Sequence, residues 1–178
     1  MSNTRDWTPP LSRPVPVATV PAHGLDVKVT PTPDERAAMA KALDLAAVDA
    51  LTADLHLTHR SGGIIAVNGV LKATIQPVCV LSLEPFPLTV SEPVEITFAD
   101  EDHAARLRGR VGSEEDVSGE DPPDVIENGS IDLGHVVTEF LSLALPIYPR
   151  KPGAAFAGAA EPERESPFDK LKTLKTKE

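Results

Sequence analysis

Cys79 and five histidines (His23, His56, His59, His103 and His135) are the side chains of this 178-residue chain best suited to nucleophilic, acid–base or metal chemistry. A cysteine nucleophile needs its thiol pKa lowered by a basic neighbour or a helix N-terminus. The nearest basic residues in sequence are Lys72 and Arg106, both distant from Cys79, and a free cysteine packs as a small hydrophobe. Cys79 therefore reads as structural, with a thiol enzyme as the remote alternative. A single cysteine also makes no internal disulfide and no multi-cysteine zinc site. His56 and His59 are three apart on a strand-like pattern, which puts them on opposite faces and prevents a shared metal. Neither a Ser-His-Asp arrangement nor a His-Glu-x-x-His spacing is present. Glu84 and Glu139 would have to meet to act as an acid–base pair, and nothing in their spacing brings them together. Gly62-Gly63 has the form of a hairpin turn and not of a phosphate cradle. No catalytic residue, metal or cofactor is expected, and no small-molecule substrate.

Charge narrows the partners. The chain carries 17 Lys and Arg against 27 Asp and Glu, a formal net charge of −10. Such a surface repels nucleic acid unless its cations are segregated. Arg150 and Lys151 form one small basic site, and Lys170, Lys172, Lys175 and Lys177 crowd the C-terminus. Glu161, Glu163, Glu165, Asp169 and Glu178 nearly cancel that tail. The aromatic residues do not interleave with the basic ones, so no RNA-stacking platform is visible. Direct RNA contact through these lysines is the second alternative. No run reaches the roughly 18–20 apolar residues of a membrane span, and Met1 to Trp7 lacks an apolar signal core. A cytoplasmic location is expected.

These residues need a scaffold. Hydrophobic residues make up 41% and aromatics 4%, so aliphatic side chains must fill the core. Pro9, Pro10, Pro14 and Pro16 exclude a helix from residues 1–16, of which 1–14 read as an extended arm. Val15, Val17 and Val20 alternate like a short strand, as do Leu25, Val27 and Val29. Thr32-Pro33-Asp34-Glu35 is a capping box with proline at the first helical position, and the helix it opens should end near residue 46. Leu51, Ala53, Leu55 and Leu57 alternate with polar residues. Ser61-Gly62-Gly63 then turns the chain into a partner strand, 64–75, where Gly69 marks a bulge or a close backbone approach. Residues 88–98 read as a further strand, with Pro93 arguing for an edge or a break. Acidic runs flank Arg106 to Arg110, and 99–123 reads as a mobile acidic insertion. A strand near Val125-Ile126 and a turn at Asn128-Gly129 follow. Asp132 caps a second helix carrying Val136, Val137, Phe140 and Leu141 on its apolar side, stopped by Pro146. The order predicts one α+β domain over 15–153. Its sheet is mainly antiparallel and able to curl toward a barrel, with two principal helices and a flexible tail over 154–178.

Two separated stretches carry a family likeness: Gln76-Pro77-Val78-Cys79-Val80-Leu81-Ser82-Leu83-Glu84-Pro85-Phe86, and Ile131-Asp132-Leu133 through Tyr148-Pro149-Arg150-Lys151-Pro152-Gly153. With the tail Ser166-Pro167-Phe168, Leu171-Lys172 and Leu174-Lys175, they resemble the YceD family, the large ribosomal RNA subunit accumulation proteins of bacteria. The likeness runs over about residues 15–175, and the Cys79 segment is similar to the alphaproteobacterial variant. Many members carry Cys-x-x-Cys-Leu-Glu here, whereas this chain has Ser82 three residues after Cys79, so no metal or redox role carries over. The resemblance implies a non-enzymatic role in 23S ribosomal RNA accumulation or processing and in large-subunit assembly. The partner would be a ribosomal protein or a precursor particle, with 23S RNA contact as the other route. Within that role the candidate interaction surface comprises Gln76, Cys79, Glu84, Glu139, Tyr148, Arg150, Lys151, Lys170, Lys172 and Lys175. Leu83, Pro85 and Asp132 are expected to belong instead to the core and its turns.

Overall fold

Thr32 opens the first helix as its sequence demands. Its hydroxyl accepts the Glu35 N–H at 3.3 Å while the Glu35 carboxylate accepts the Thr32 N–H at 2.8 Å, closing the capping box. The computed structural model describes residues 9–108 and 121–155. In chain order its elements are β1 (Pro14–Pro16), β2 (Leu25–Val29), α1 (Pro33–Ala42), β3 (Ala47–Arg60), β4 (Ile64–Gln76), β5 (Leu88–Ala99), α2 (Glu101–Arg108), β6 (Asp124–Val125), β7 (Ser130–Asp132) and α3 (Leu133–Leu143). Strands β2-β3-β4-β5-β6 form a five-stranded sheet, antiparallel except for the β5–β6 pair, and β1 with β7 forms a separate antiparallel ribbon. The class is α+β.

The period-two pattern sorts side chains by face. Leu51, Ala53, Leu55 and Leu57 of β3 and Ile65, Val67, Leu71, Ala73 and Ile75 of β4 are buried, together with Met39 of α1 and Leu133, Val136, Val137 and Leu141 of α3. Asp54 and the other alternate residues of β3 remain wholly or partly exposed. Both α1 and α3 thus join one cluster on one face of the sheet. Gly69 is the close approach foreseen, without a bulge. It pairs in register with Leu55, and a Cβ there would meet the Asp54 carbonyl oxygen and the Leu55 Cα. The bulge lies elsewhere, between Val48 and Ala50.

Several expectations change. The sheet is open and does not close into a barrel, because its ends, β2 and β6, do not pair with each other. Among the described residues the outer edge of β5 is unpaired along most of its length, since β6 joins only Phe98 and Ala99. Pro93 sits on that edge without breaking the strand, and it has no N–H to offer another chain. The neighbouring Glu92 is half-buried opposite Leu71, a charge placed where an added strand would have to cover it. α1 ends at Ala42 instead of near residue 46. Asp44 takes a left-handed φ of 54°, and the Leu45 N–H closes back on the Ala40 carbonyl at 2.9 Å. Val17 and Val20 leave the strand pattern after Pro16: Val17 opens a single 3₁₀ turn over Val17–Thr19 and Val20 caps its end. Among the described residues a third, shorter helix, α2, joins the two principal ones. The segment 99–123, expected as a mobile insertion, begins with α2; residues 109–120 of it lie outside the described residues.

The arm expected over 1–14 contributes to the fold from its far end. Leu11 is buried in the core, and a Cβ at Gly134 would meet the Leu11 and Ser12 backbone at 2.7 Å. Asp132 caps α3 by accepting the Gly134 N–H at 2.9 Å, and it also accepts the Arg13 N–H and the Ser12 hydroxyl, each at 2.6 Å. Arg13 then forks onto both oxygens of Glu35 at 2.8 Å, tying the arm to α1. Arg13 and the Thr32 N–H together hold the Glu35 carboxyl at about 2.

Candidate functional site

The chain leaves β4 at Gln76 and folds a tight loop before β5 begins. Val78 bridges Pro85; the Cys79 N–H donates to the Glu84 carbonyl at 2.9 Å, and the Phe86 N–H to Pro77 at 3.1 Å. Inside this frame the Leu83 N–H closes on the Cys79 carbonyl at 2.9 Å. Closing so tight a turn forces Leu83 to φ 57°, a left-handed conformation costly for a side chain with a Cβ. Phe86 is buried and anchors the loop's exit.

Cys79 is fully buried at the loop's centre, and its sulfur is surrounded by donors. Sγ accepts the N–H of Leu81 at 3.4 Å, of Ser82 at 3.5 Å and of Lys151 at 3.3 Å. The Ser82 side chain bonds it as well and, ahead of the Lys151 and Ser82 N–H groups, draws the thiol down to about 6 against the opposing effect of burial. The sequence shows no basic residue near Cys79; the fold instead turns Ser82, three residues on, back to the sulfur and adds the Lys151 N–H from 72 positions away. The Val80 N–H donates to the Pro149 carbonyl at 2.9 Å, and Lys151 Nζ pairs with Glu84 Oε2 at 2.8 Å. That pair lowers Glu84 and raises Lys151. The segments around Cys79 and Tyr148–Lys151 are therefore one structural unit. What the sulfur does chemically is hold two chain segments together; fully buried, it presents no atom to a substrate.

Of the candidate residues, Cys79, Glu84, Tyr148, Arg150 and Lys151 belong to this unit. Tyr148 and Arg150 are exposed beside it. Gln76 stands at its entrance and turns the other way: its Nε2 donates to both carboxylate oxygens of Asp49 at 3.0 and 3.1 Å, clamping the residue that the β3 bulge inserts. Glu139 lies elsewhere, on the exposed side of α3. It lines a groove of about 830 Å³ with Asp124, Glu127, Asp132 and His135. Glu84 is bonded to Lys151 and not to Glu139, so no carboxylate pair forms. Lys170, Lys172 and Lys175 lie outside the described residues. His56 Nδ1 pairs with Asp26 at 2.6 Å and His59 Nε2 bonds the Val20 carbonyl at 2.9 Å, on opposite faces of β3 as their spacing requires.

Of the two places expected for Leu83, the core or its turns, the structure gives the turn, where the side chain is 77% exposed. With it the fold exposes Ile147 at 85%, Tyr148 at 74% and Leu143 at 71%, and leaves Val78 and Val80 partly open. Sequence reasoning did not single out Ile147 or Leu143. Their one signal was position, apolar residues placed at or beyond the end of α3 and flanking Pro146, where no helical face could bury them. Among the described residues no group of three His, Cys, Asp or Glu side chains could hold a metal ion, and no helix is long and apolar enough to cross a membrane.

Both halves of the Cys79–Lys151 unit lie within the span of a known family model. That model, described as large ribosomal RNA subunit accumulation protein YceD, matches residues 67–175, more than half of the chain. It begins within β4 and takes in the loop, α3 and the segment through Lys151, leaving β1 to β3 and α1 outside. No curated protein and no solved structure matches the chain.

Proposed function

The chain belongs to the YceD family of large ribosomal RNA subunit accumulation proteins, and from that premise we propose that it supports 23S rRNA accumulation and large-subunit assembly without catalysing a reaction. It acts in the cytoplasm as a binding factor on a precursor particle, mainly through protein contacts. The observation that carries this reading is the Cys79–Lys151 unit. Two segments 72 residues apart are joined by Sγ, a backbone bond and an ion pair, and these joined segments expose large apolar side chains. The net charge of −10 favours basic protein partners over phosphate. The burial of Cys79 weighs against a thiol enzyme, since a nucleophile must reach its substrate.

Direct binding to RNA is the competing route, through Arg150, which is exposed and without an ion pair among the described residues, and through the lysines of the tail. Sedimentation of the tagged full chain at low and at raised salt tests both. Co-migration with large-subunit precursors that persists at raised salt supports protein contacts. Co-migration lost steeply with salt supports phosphate contacts, because each neutralised phosphate adds about 0.7 to the salt slope of a single strand. A protein that stays at the top of the gradient at both salts contradicts the assembly role.

A further inference from the structure

Ile147, Tyr148 and Leu83 are each about three-quarters or more exposed, and Val80 is partly so. They sit on two segments that the Val80–Pro149 and Cys79–Lys151 bonds hold side by side. Leu143, one turn beyond Glu139 at the end of α3, is exposed as well, four residues before Ile147 in the chain. The fold holds Leu83 outward at a left-handed φ that a glycine would adopt freely. Arg150 stands at the edge of this surface, exposed, while its neighbour Lys151 is taken up by Glu84.

We propose that this patch docks a protein component of the large-subunit precursor, one that offers apolar side chains with a carboxylate among them, the carboxylate meeting Arg150. This deepens the assembly role and rests on it. Charge selects the partner's local chemistry. Arg150 has no carboxylate of its own among the described residues, and a guanidinium takes a carboxylate through two parallel hydrogen bonds. The aliphatic side chains select protein over RNA. Phosphate and sugar contacts are polar, so Val80, Leu83, Leu143 and Ile147 would gain nothing from them. Protein interfaces, by contrast, concentrate tyrosine, arginine and apolar contacts at their centres.

The test uses the full chain with purified large-subunit precursor particles as the probe. Affinity is measured for the wild type, for Ile147→Asp with Tyr148→Asp, for Arg150→Glu and for Arg150→Lys. A parallel sample carries Tyr148→p-benzoylphenylalanine for photo-crosslinking. The double variant and Arg150→Glu should each lose about tenfold or more in affinity, with Arg150→Lys affected less. Melting temperatures should not move, since the side chains are exposed. The crosslinked product should survive ribonuclease and be lost to protease. Undiminished affinity of both the double variant and Arg150→Glu overturns the docking surface while leaving the assembly role standing. A ribonuclease-sensitive crosslink overturns it in favour of RNA, and a product of twice the chain's mass in favour of a second copy. A wild-type chain that does not bind the particles overturns both the surface and the assembly role.

Discussion

A sulfur that accepts three backbone N–H groups and the Ser82 side chain should titrate unlike an ordinary thiol. Its folded pKa, about 6, lies below the ordinary thiol value near 8.5 that the unfolded chain should show. Folding therefore releases a proton between those values. The stabilisation is complete above the unfolded pKa and is lost as pH falls through about 6. Thiolate absorbance of the native protein should show a midpoint near 6, and Ser82→Ala should move it upward by removing the largest contribution. A midpoint in the ordinary thiol range contradicts the donor arrangement. Leu83 carries the opposite kind of signal, a conformation that costs stability. Replacing it with glycine removes a left-handed penalty of about 1–2 kcal/mol and adds a backbone-entropy cost of about 0.5–1 kcal/mol. Urea melts of Leu83→Gly should show stability unchanged or raised by up to ~1.5 kcal/mol, while binding to precursor particles weakens. A large loss of stability would mean that Leu83 holds the loop together instead of facing a partner.

Between elements, the most sensitive positions are those where backbone meets backbone or one carboxylate serves two segments. Gly69→Ala would drive a methyl against the Asp54 carbonyl and the Leu55 Cα of the neighbouring strand. Chemical denaturation should record a loss of roughly 3 kcal/mol, at the upper end of overpacking penalties. Asp132→Ala removes the α3 cap, worth ~1 kcal/mol, and two bonds to the arm worth ~1 kcal/mol each. Its loss should exceed that of Thr32→Ala, which removes only a cap; equal losses would show that the arm's bonds contribute nothing. Both caps were legible because a capping box and an Asx cap are written within four residues. The β3–β4 hairpin was legible for the same reason, through alternation and a Ser-Gly-Gly turn. Contacts between distant segments leave no such spacing signal, so neither Arg13 reaching Glu35 nor the Lys151 N–H reaching Cys79 could be read. α2 was hidden by its charge. Yet Asp100 accepts the His103 N–H at 2.8 Å, Glu101 and Asp102 open the helix, and Arg106 and Arg108 close it, an order that suits the helix dipole. The barrel was overestimated because alternation reveals which face a strand buries and not whether the sheet's two ends meet.

For the molecule as a whole, an acidic chain exposes Leu83, Ile147 and Tyr148 on the two segments of its family likeness, and the family model spans both. Of the ten candidate residues, five gather in that unit. Gln76 serves the β3 bulge, Glu139 faces a separate groove, and the tail lysines lie outside the described residues. Residue type alone could nominate them, but only the fold could sort them. The most direct measurement is the ratio of 23S to 16S rRNA in cells lacking this protein, with and without the wild-type gene restored. The account predicts that the ratio falls in the deletion strain, that the wild type restores it, and that the Ile147→Asp, Tyr148→Asp variant restores it poorly. An unchanged ratio on deletion would contradict the assignment to large-subunit rRNA accumulation.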